Sequence, residues 1–265
     1  ATTGGVEFNT TGGTQDLTFK GGAGDDTLNI GAGLDADDTL SFGAGSDTLI
    51  LTAAALTSAT NVQVVAINAI TDVERVLSNT SAGDGVAIDF SKLTSVSNAG
   101  VVAVTPATNA VNNADGDTAL TITGLTSADT IVIGGNVVGG IGQLEAAGGD
   151  AINISTATNG GNDTASLLFT AAANVTGGAT ISTDDDSATA HAAGDGLAAD
   201  TVENIVITTA DKDADVVFAG GSNAADATND TAGASVTVGA NGTVTISGAG
   251  DVNLGTVVSA AGASA

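Results

Sequence analysis

Apolar residues along this chain fall in short runs, most alternating with threonine, serine or asparagine, and glycine- and aspartate-rich clusters separate the runs. Alternation with period two is the mark of a half-buried strand, and the clusters between runs carry turn chemistry. The pattern predicts strands at 16–20, 27–30, 39–42, 48–51, 62–67, 86–90, 101–105, 119–123 and 130–135. Further strands are predicted at 151–155, 166–170, 204–209, 215–220, 235–239 and 243–248. Only 51–62, "LTAAALTSATNV", reads as a helix candidate, on the strength of its alanines. Many short strands at close spacing predict an all-β fold of the parallel β-helix or β-roll solenoid type, with tandem β-sandwich domains as the alternative.

A longer repeat lies across the shorter one. "GSDTLILTAAA" from Gly45 and "TDVERVL" from Thr71 share an order of features with "GNDTASLLFTAAA" from Gly161 and "ADTVENIVI" from Ala199. In each, Gly-x-Asp-Thr precedes an apolar strand and Thr-Ala-Ala-Ala, and then Val-Glu precedes another apolar strand. From Thr52 to Glu74 the spacing is 22 and from Thr170 to Glu203 it is 33, the difference falling around the acidic insertion at 182–196. The expected organisation is two β-rich halves, 1–140 and 141–265, the second a degenerate duplicate of the first, with a boundary in the glycine-rich stretch 135–150.

Composition narrows what the strands are made of. The 265 residues include 38 glycines, one proline, six phenylalanines and no tryptophan, tyrosine, methionine or cysteine, so the core is expected to be Val, Ile, Leu, Ala and Thr. Thirty acids face four bases, Lys20, Arg75, Lys92 and Lys212, for a net charge of −26, which excludes nucleic acid as an expected partner. Self-repulsion on that scale is relieved by screening salt or by bound divalent cations, and the clustering of acids within glycine turns favours cations. No apolar run reaches membrane-spanning length, so no membrane span is expected. A chain opening at Ala1 without a basic leader reads as one whose leader has been removed, or as a piece of a longer chain.

Candidate chemistry concentrates in "GGAGDDTLNIGAGLDADDTLSFGAGSDTLIL", residues 21–51. Residues 21–29 match the calcium-binding nonapeptide G-G-x-G-x-D-x-U-x at every defined position. The second occurrence, from Gly31, carries three inserted residues, Ala36 to Asp38; the third, 42–50, has Phe42 in place of its first glycine. Gly22, Gly24, Gly31, Gly33, Gly43 and Gly45 would bring backbone carbonyls towards one point through positive φ, and Asp26, Asp35 and Asp47 would add carboxylate oxygens. Calcium (Ca2+) takes about six to eight oxygens, more than one turn supplies, so two turns must stack. Asp26 and Asp47, 21 residues apart, lie one coil apart on the same side if each coil has two turns; the insertion then bulges on the other side. Weaker candidates for the same ion are Asp115 and Asp117 in "NNADGDT" and Asp163 in "GGNDT".

Catalytic constellations are missing. His191 is the single histidine and there is no cysteine, so zinc sites and histidine-dependent triads have no support. Carboxylate-only sugar chemistry lacks the aromatic platforms and bases such sites use, and no catalysis is expected. Threonine pairs at 121/123 and 243/245 admit a flat, ice-binding face as an alternative.

The Gly-Gly-x-Gly-x-Asp turns resemble those of RTX-type calcium-binding repeat proteins, and with "TDVERV" and "TVENIVI" the chain looks like a bacterial surface-layer (S-layer) protein. The resemblance implies a secreted, extracellular or cell-surface protein that assembles with itself into a calcium-stabilised layer or filament. Its implied partners are further copies of the chain, calcium and cell-surface polysaccharide. The alternatives are a calcium-dependent adhesin and the noncatalytic RTX tail of a larger secreted protein.

Overall fold

The computed structural model describes residues 4–10, 15–80, 85–103, 119–138, 152–157, 163–176, 197–199, 202–219, 236–238 and 241–259. Within them the chain winds as a parallel β-solenoid. Its longest wall is a sheet of nine strands in chain order: Glu7–Asn9, Thr27–Gly31, Thr48–Leu51, Arg75–Ser78, Asn98–Val101, Thr130–Ile133, Thr164–Phe169, Asn204–Thr209 and Thr243–Gly248. A second wall starts as a two-stranded sheet, Thr18–Gly22 with Thr39–Gly43. Seven further strands make a separate sheet: Ala55–Leu56, Val86–Asp89, Leu120–Leu125, Ile152–Thr156, Leu197–Ala199, Val236–Val238 and Val257–Ser259. Four strands, Val137–Val138, Ala173–Thr176, Val216–Ala219 and Val252–Asn253, add a third wall in the later coils. Every strand pair among the described residues is parallel, which excludes the tandem β-sandwich, a fold of antiparallel pairs.

Coil length grows as the third wall appears. Contacts between neighbouring coils link residues 20 and 21 apart near the start, and 40 and 39 apart near the end. The long sheet crosses the expected boundary without a break, Ile131 standing beside Leu167, while residues 139–151 lie outside the described set.

Alternation along each strand builds the core. Leu28, Leu49, Val76, Ala99, Ile131, Leu167 and Ile207 stand above one another in register and are each at most 1% exposed. Phe19 and Phe42 of the second wall stack with centroids 5.1 Å apart, and Phe169 meets Phe218 edge-on at 5.8 Å. Burying each of these large side chains contributes about 1.5–3 kcal/mol, which is how a chain with so few aromatics fills its interior.

Two expectations fail in one segment. The helix spans Val62–Ala69, not 51–62, and the predicted strand 62–67 lies inside it. Asn61 accounts for the start, because its side-chain oxygen accepts hydrogen bonds from the amides of Gln63 and Val64, which have no partner within the helix. Val64, Ala66 and Ile67 are buried while Val62 and Val65 face outward. The apolar stretch Val64–Ile67 carries no period of its own, so strand and helix look alike there in sequence. This helix, α1, flanks the cleft of about 190 Å³ that Thr39 and Leu40 line from the other side; Asn68 at its end donates to Lys92 O at 2.8 Å. It follows the two strands of the short sheet. The run read at 101–105 also differs, pairing instead as Asn98–Val101; residues 104 and 105 lie outside the described set.

Leu49→Ala should lower the unfolding free energy by about 2–5 kcal/mol, as expected for a buried leucine. Ile50→Thr, on the outward face of the same strand, should change it by less than about 1 kcal/mol. Urea unfolding of both variants checks the assignment of faces, and the opposite order would contradict it.

Candidate metal site

The acid immediately before a strand has a defined task here. Its carboxylate accepts the backbone amide of the residue in the same place one coil earlier. Asp26 Oδ1 accepts from Val6 N–H at 2.7 Å, Asp47 Oδ1 from Asp26 N–H at 2.7 Å, and Glu74 Oε2 from Asp47 N–H at 2.7 Å. The carbonyls of Val6, Asp26 and Asp47 in turn accept from Thr27, Thr48 and Arg75, so main chain and carboxylates form one continuous ladder along the coil axis. Amide bonds to an ionised oxygen contribute about 1.5–3 kcal/mol each, more than neutral pairs.

Glycine lets the turns at 22–26 and 43–47 close on each other. Ala44 N–H donates to Gly22 O at 3.0 Å and Ser46 N–H to Asp25 Oδ1 at 2.8 Å. Gly43 has φ 106°, and a side chain there would strike the Gly22 carbonyl. A Cβ on Gly45 would lie 2.6 Å from Gly24 O and 3.0 Å from Asp47 Oδ1, so these two oxygens border one small space that only glycine leaves open. Phe42 O and Asp26 Oδ2 border a like space beside Gly21. Positive φ occurs at Gly31, Gly43 and Gly45 but not at Gly22, Gly24 or Gly33, where the expectation of positive φ is corrected. Gly22 and Gly33 serve turn hydrogen bonding, Gly22 N–H donating to Asp26 Oδ2 at 2.7 Å and Gly33 N–H to Ile30 O at 3.5 Å.

Asp47 stands apart from the other acids of the ladder. Its residue is fully buried, and Oδ2 has no hydrogen-bond partner. Burial pushes its carboxyl pKa up from the ordinary 3.8; the Asp26 amide opposes this, and the negative charges of Glu74, Asp26 and Asp25 add to it. Asp26 is equally buried, but amides occupy both of its oxygens. An ionised oxygen out of water with no donor is costly, and a cation is the direct remedy.

The donors present suit a hard cation. Asp47 offers a free carboxylate oxygen, Oδ2, and Asp26 the remaining lone pairs of its own, while the Gly24 carbonyl borders the space beside the other Asp47 oxygen, Oδ1; none of these donors is nitrogen or sulfur. Among the described residues no three acidic, histidine or cysteine side chains converge on one point, so backbone oxygens and water would have to supply the rest of a shell.

Other expected residues are placed differently. Gly31, Gly33 and Asp35 lie in the turn at the other end of the strand Thr27–Gly31, as the insertion implied. Within that turn Asp38, not Asp35, stands where Asp26 and Asp47 stand in theirs, since Asp38 Oδ1 accepts from Leu17 N–H at 2.8 Å. Asp35 instead accepts from Asp37 N–H at 2.9 Å. Asp38 and Glu74 are the ladder residues that motif reading missed; "DTL" at 26–28, 38–40 and 47–49 marks the first. Asp163 joins a second rung far along the solenoid, its amide donating to Glu203 Oε2 at 2.9 Å and its Oδ2 accepting from Thr156 Oγ1 at 3.1 Å. The Asp47–Glu74 contact thus recurs as Asp163–Glu203, the same pair of positions that the longer sequence repeat aligns. Asp115, Asp117 and the insertion 182–196 with His191 lie outside the described residues.

Stacked glycine-aspartate turns on a parallel β-solenoid define the class of molecule. Compared with protein-family models, curated proteins and solved structures, the chain matches none.

Asp47→Asn keeps an acceptor for the Asp26 amide and removes the buried charge. In EGTA it should raise stability by about 1–3 kcal/mol, a few degrees in Tm. With a raised folded-state pKa, the penalty is absent below the unfolded value and fully present above the folded one, so the variant's advantage should fade as pH falls from about 7 towards about 4. In millimolar calcium the parent should gain about 0.4–1.4 kcal/mol that the variant does not, so the gap should narrow. Thermal melts in the two media check both directions.

Proposed function

We propose that this chain is a noncatalytic structural protein of an extracellular surface layer or filament, assembling with copies of itself, and that calcium bound between the turns at 21–26 and 43–47 stabilises it. The observation that carries the reading is the buried, unpartnered Asp47 Oδ2 beside stacked glycine turns that offer only oxygen donors. The likeness of those turns to RTX repeats, and of "TDVERV" and "TVENIVI" to phrases of surface-layer proteins, supports the same conclusion. So does a net charge of −26, which divalent cations relieve. When bound, the ion would supply charge neutralisation for Asp47 and Asp26 and tie one coil to the next. Extracellular calcium modules bind at roughly 10⁻⁴–10⁻³ M, an affinity that couples cohesion to the ion content outside a cell.

An ice-binding or adhesive threonine face is less well supported. The outward column of the long sheet runs Glu7, Thr27, Thr48, Arg75, Asn98, while Thr121 stands beside Ala87 and Asn153. No row of threonines continues through those positions.

Chelation tests the proposal. Added EGTA should lower the melting temperature followed by circular dichroism and disperse assemblies seen by electron microscopy, and restored calcium, but not magnesium, should reverse both. Melting and assembly indifferent to chelation would overturn it.

A further inference from the structure

Among the described residues no element covers either end of the solenoid. The long-sheet column that is buried from Leu28 to Ile207 begins at Phe8, 44% exposed, and finishes at Ile246, 45% exposed. At the same late end the column of the second wall passes from Val236, fully buried, to Val257, 42% exposed. Glu7–Asn9 and Thr243–Gly248 are the two edges of the nine-stranded sheet. Edge strands carry unpaired amides and carbonyls, and proteins usually guard them with charge, proline or a covering element. The strand "TVTISG" at 243–248 has no charge and no proline.

Charge points to what covers these ends. Of a net −26, residues 240–265 contribute only Asp251, and residues 1–20 contribute Glu7 and Asp16 against Lys20. Two copies meeting side by side bring most of their acids together, whereas an end-to-end meeting brings together the least charged parts of each. The two edges also complement each other. All pairs are parallel, so a copy displaced along the coil axis presents Glu7–Asn9 to Thr243–Gly248 in the direction in which every existing pair runs.

We infer that the late end of one solenoid docks on the early end of a second copy, extending the nine-stranded sheet and its apolar column from molecule to molecule. The contact is heterologous and does not close, so growth is linear. Self-assembly is taken from the proposed function; the choice of ends is independent of calcium.

Sedimentation velocity and negative-stain electron microscopy of the 265-residue chain in millimolar calcium test the inference. The parent should form linear assemblies. Phe8→Lys and Ile246→Lys should each raise the concentration needed for growth at least about tenfold, the equivalent of about 1.4 kcal/mol. Mixed one to one, they should give dimers that grow no further, because each variant retains the end that the other has lost. Val257→Lys, at the same end as Ile246, carries the same expectation should Ile246→Lys fail to fold by circular dichroism. A monomeric parent, folded variants that assemble like the parent, or a folded mixture that stays monomeric would each overturn the docking. The calcium reading fails separately: assemblies that survive EGTA yet are blocked by Phe8→Lys contradict calcium and sustain the ends. Assemblies lost in EGTA yet indifferent to both lysines do the reverse.

Discussion

A carboxylate placed just before a strand, accepting the amide of the coil before it, is the bond on which the early part of this solenoid depends. Parallel ladders hold strands side by side but leave the turns between them unspecified. Asp26, Asp47 and Glu74 on one side, with Asp38 on the other, extend pairing beyond the strand ends into the turns. Glycines at 21, 43 and 45 are required by the same closeness, since a side chain at any of them would collide with the neighbouring coil. Stacking the acids this way concentrates negative charge along one line. The ladder that orders the turns is therefore also the feature that demands a counter-charge.

That demand is uneven, which is what makes one residue informative. Asp26 satisfies both oxygens with amides, whereas Asp47 is equally buried and leaves one unmet. Glu74, one methylene longer, reaches the same kind of amide from an exposed position. A cation at Asp47, as proposed, would complete a system that is otherwise well paired, at a point where two coils meet. Under the two proposals, cohesion within the molecule and cohesion between molecules would follow different physics: buried charge and its ion in the first case, apolar column ends and open strand edges in the second.

Much of the fold was legible because period-two alternation survives wherever one face of a strand meets the core. Thr48–Leu51 and Asn204–Thr209 coincide with their sequence runs for that reason. Val62–Ala69 did not, since an apolar run without alternation is silent about its own period and the deciding signal was the single cap Asn61. At the candidate site the stacking of Asp26 over Asp47 could be counted from a 21-residue step. Asp38 was missed because the glycines of the second repeat point to Asp35, while position in the ladder follows the strand rather than the glycine turn. The solitary oxygen of Asp47 had no trace in sequence at all, as it depends on which amides the turns leave available.

The most direct test is anomalous X-ray diffraction from crystals grown in calcium. The account predicts a calcium peak about 2.3–2.6 Å from Asp47 Oδ2, its shell completed by backbone oxygens and water. A well-ordered turn with no peak there, and Asp47 Oδ2 protonated or bonded to water alone, would contradict it.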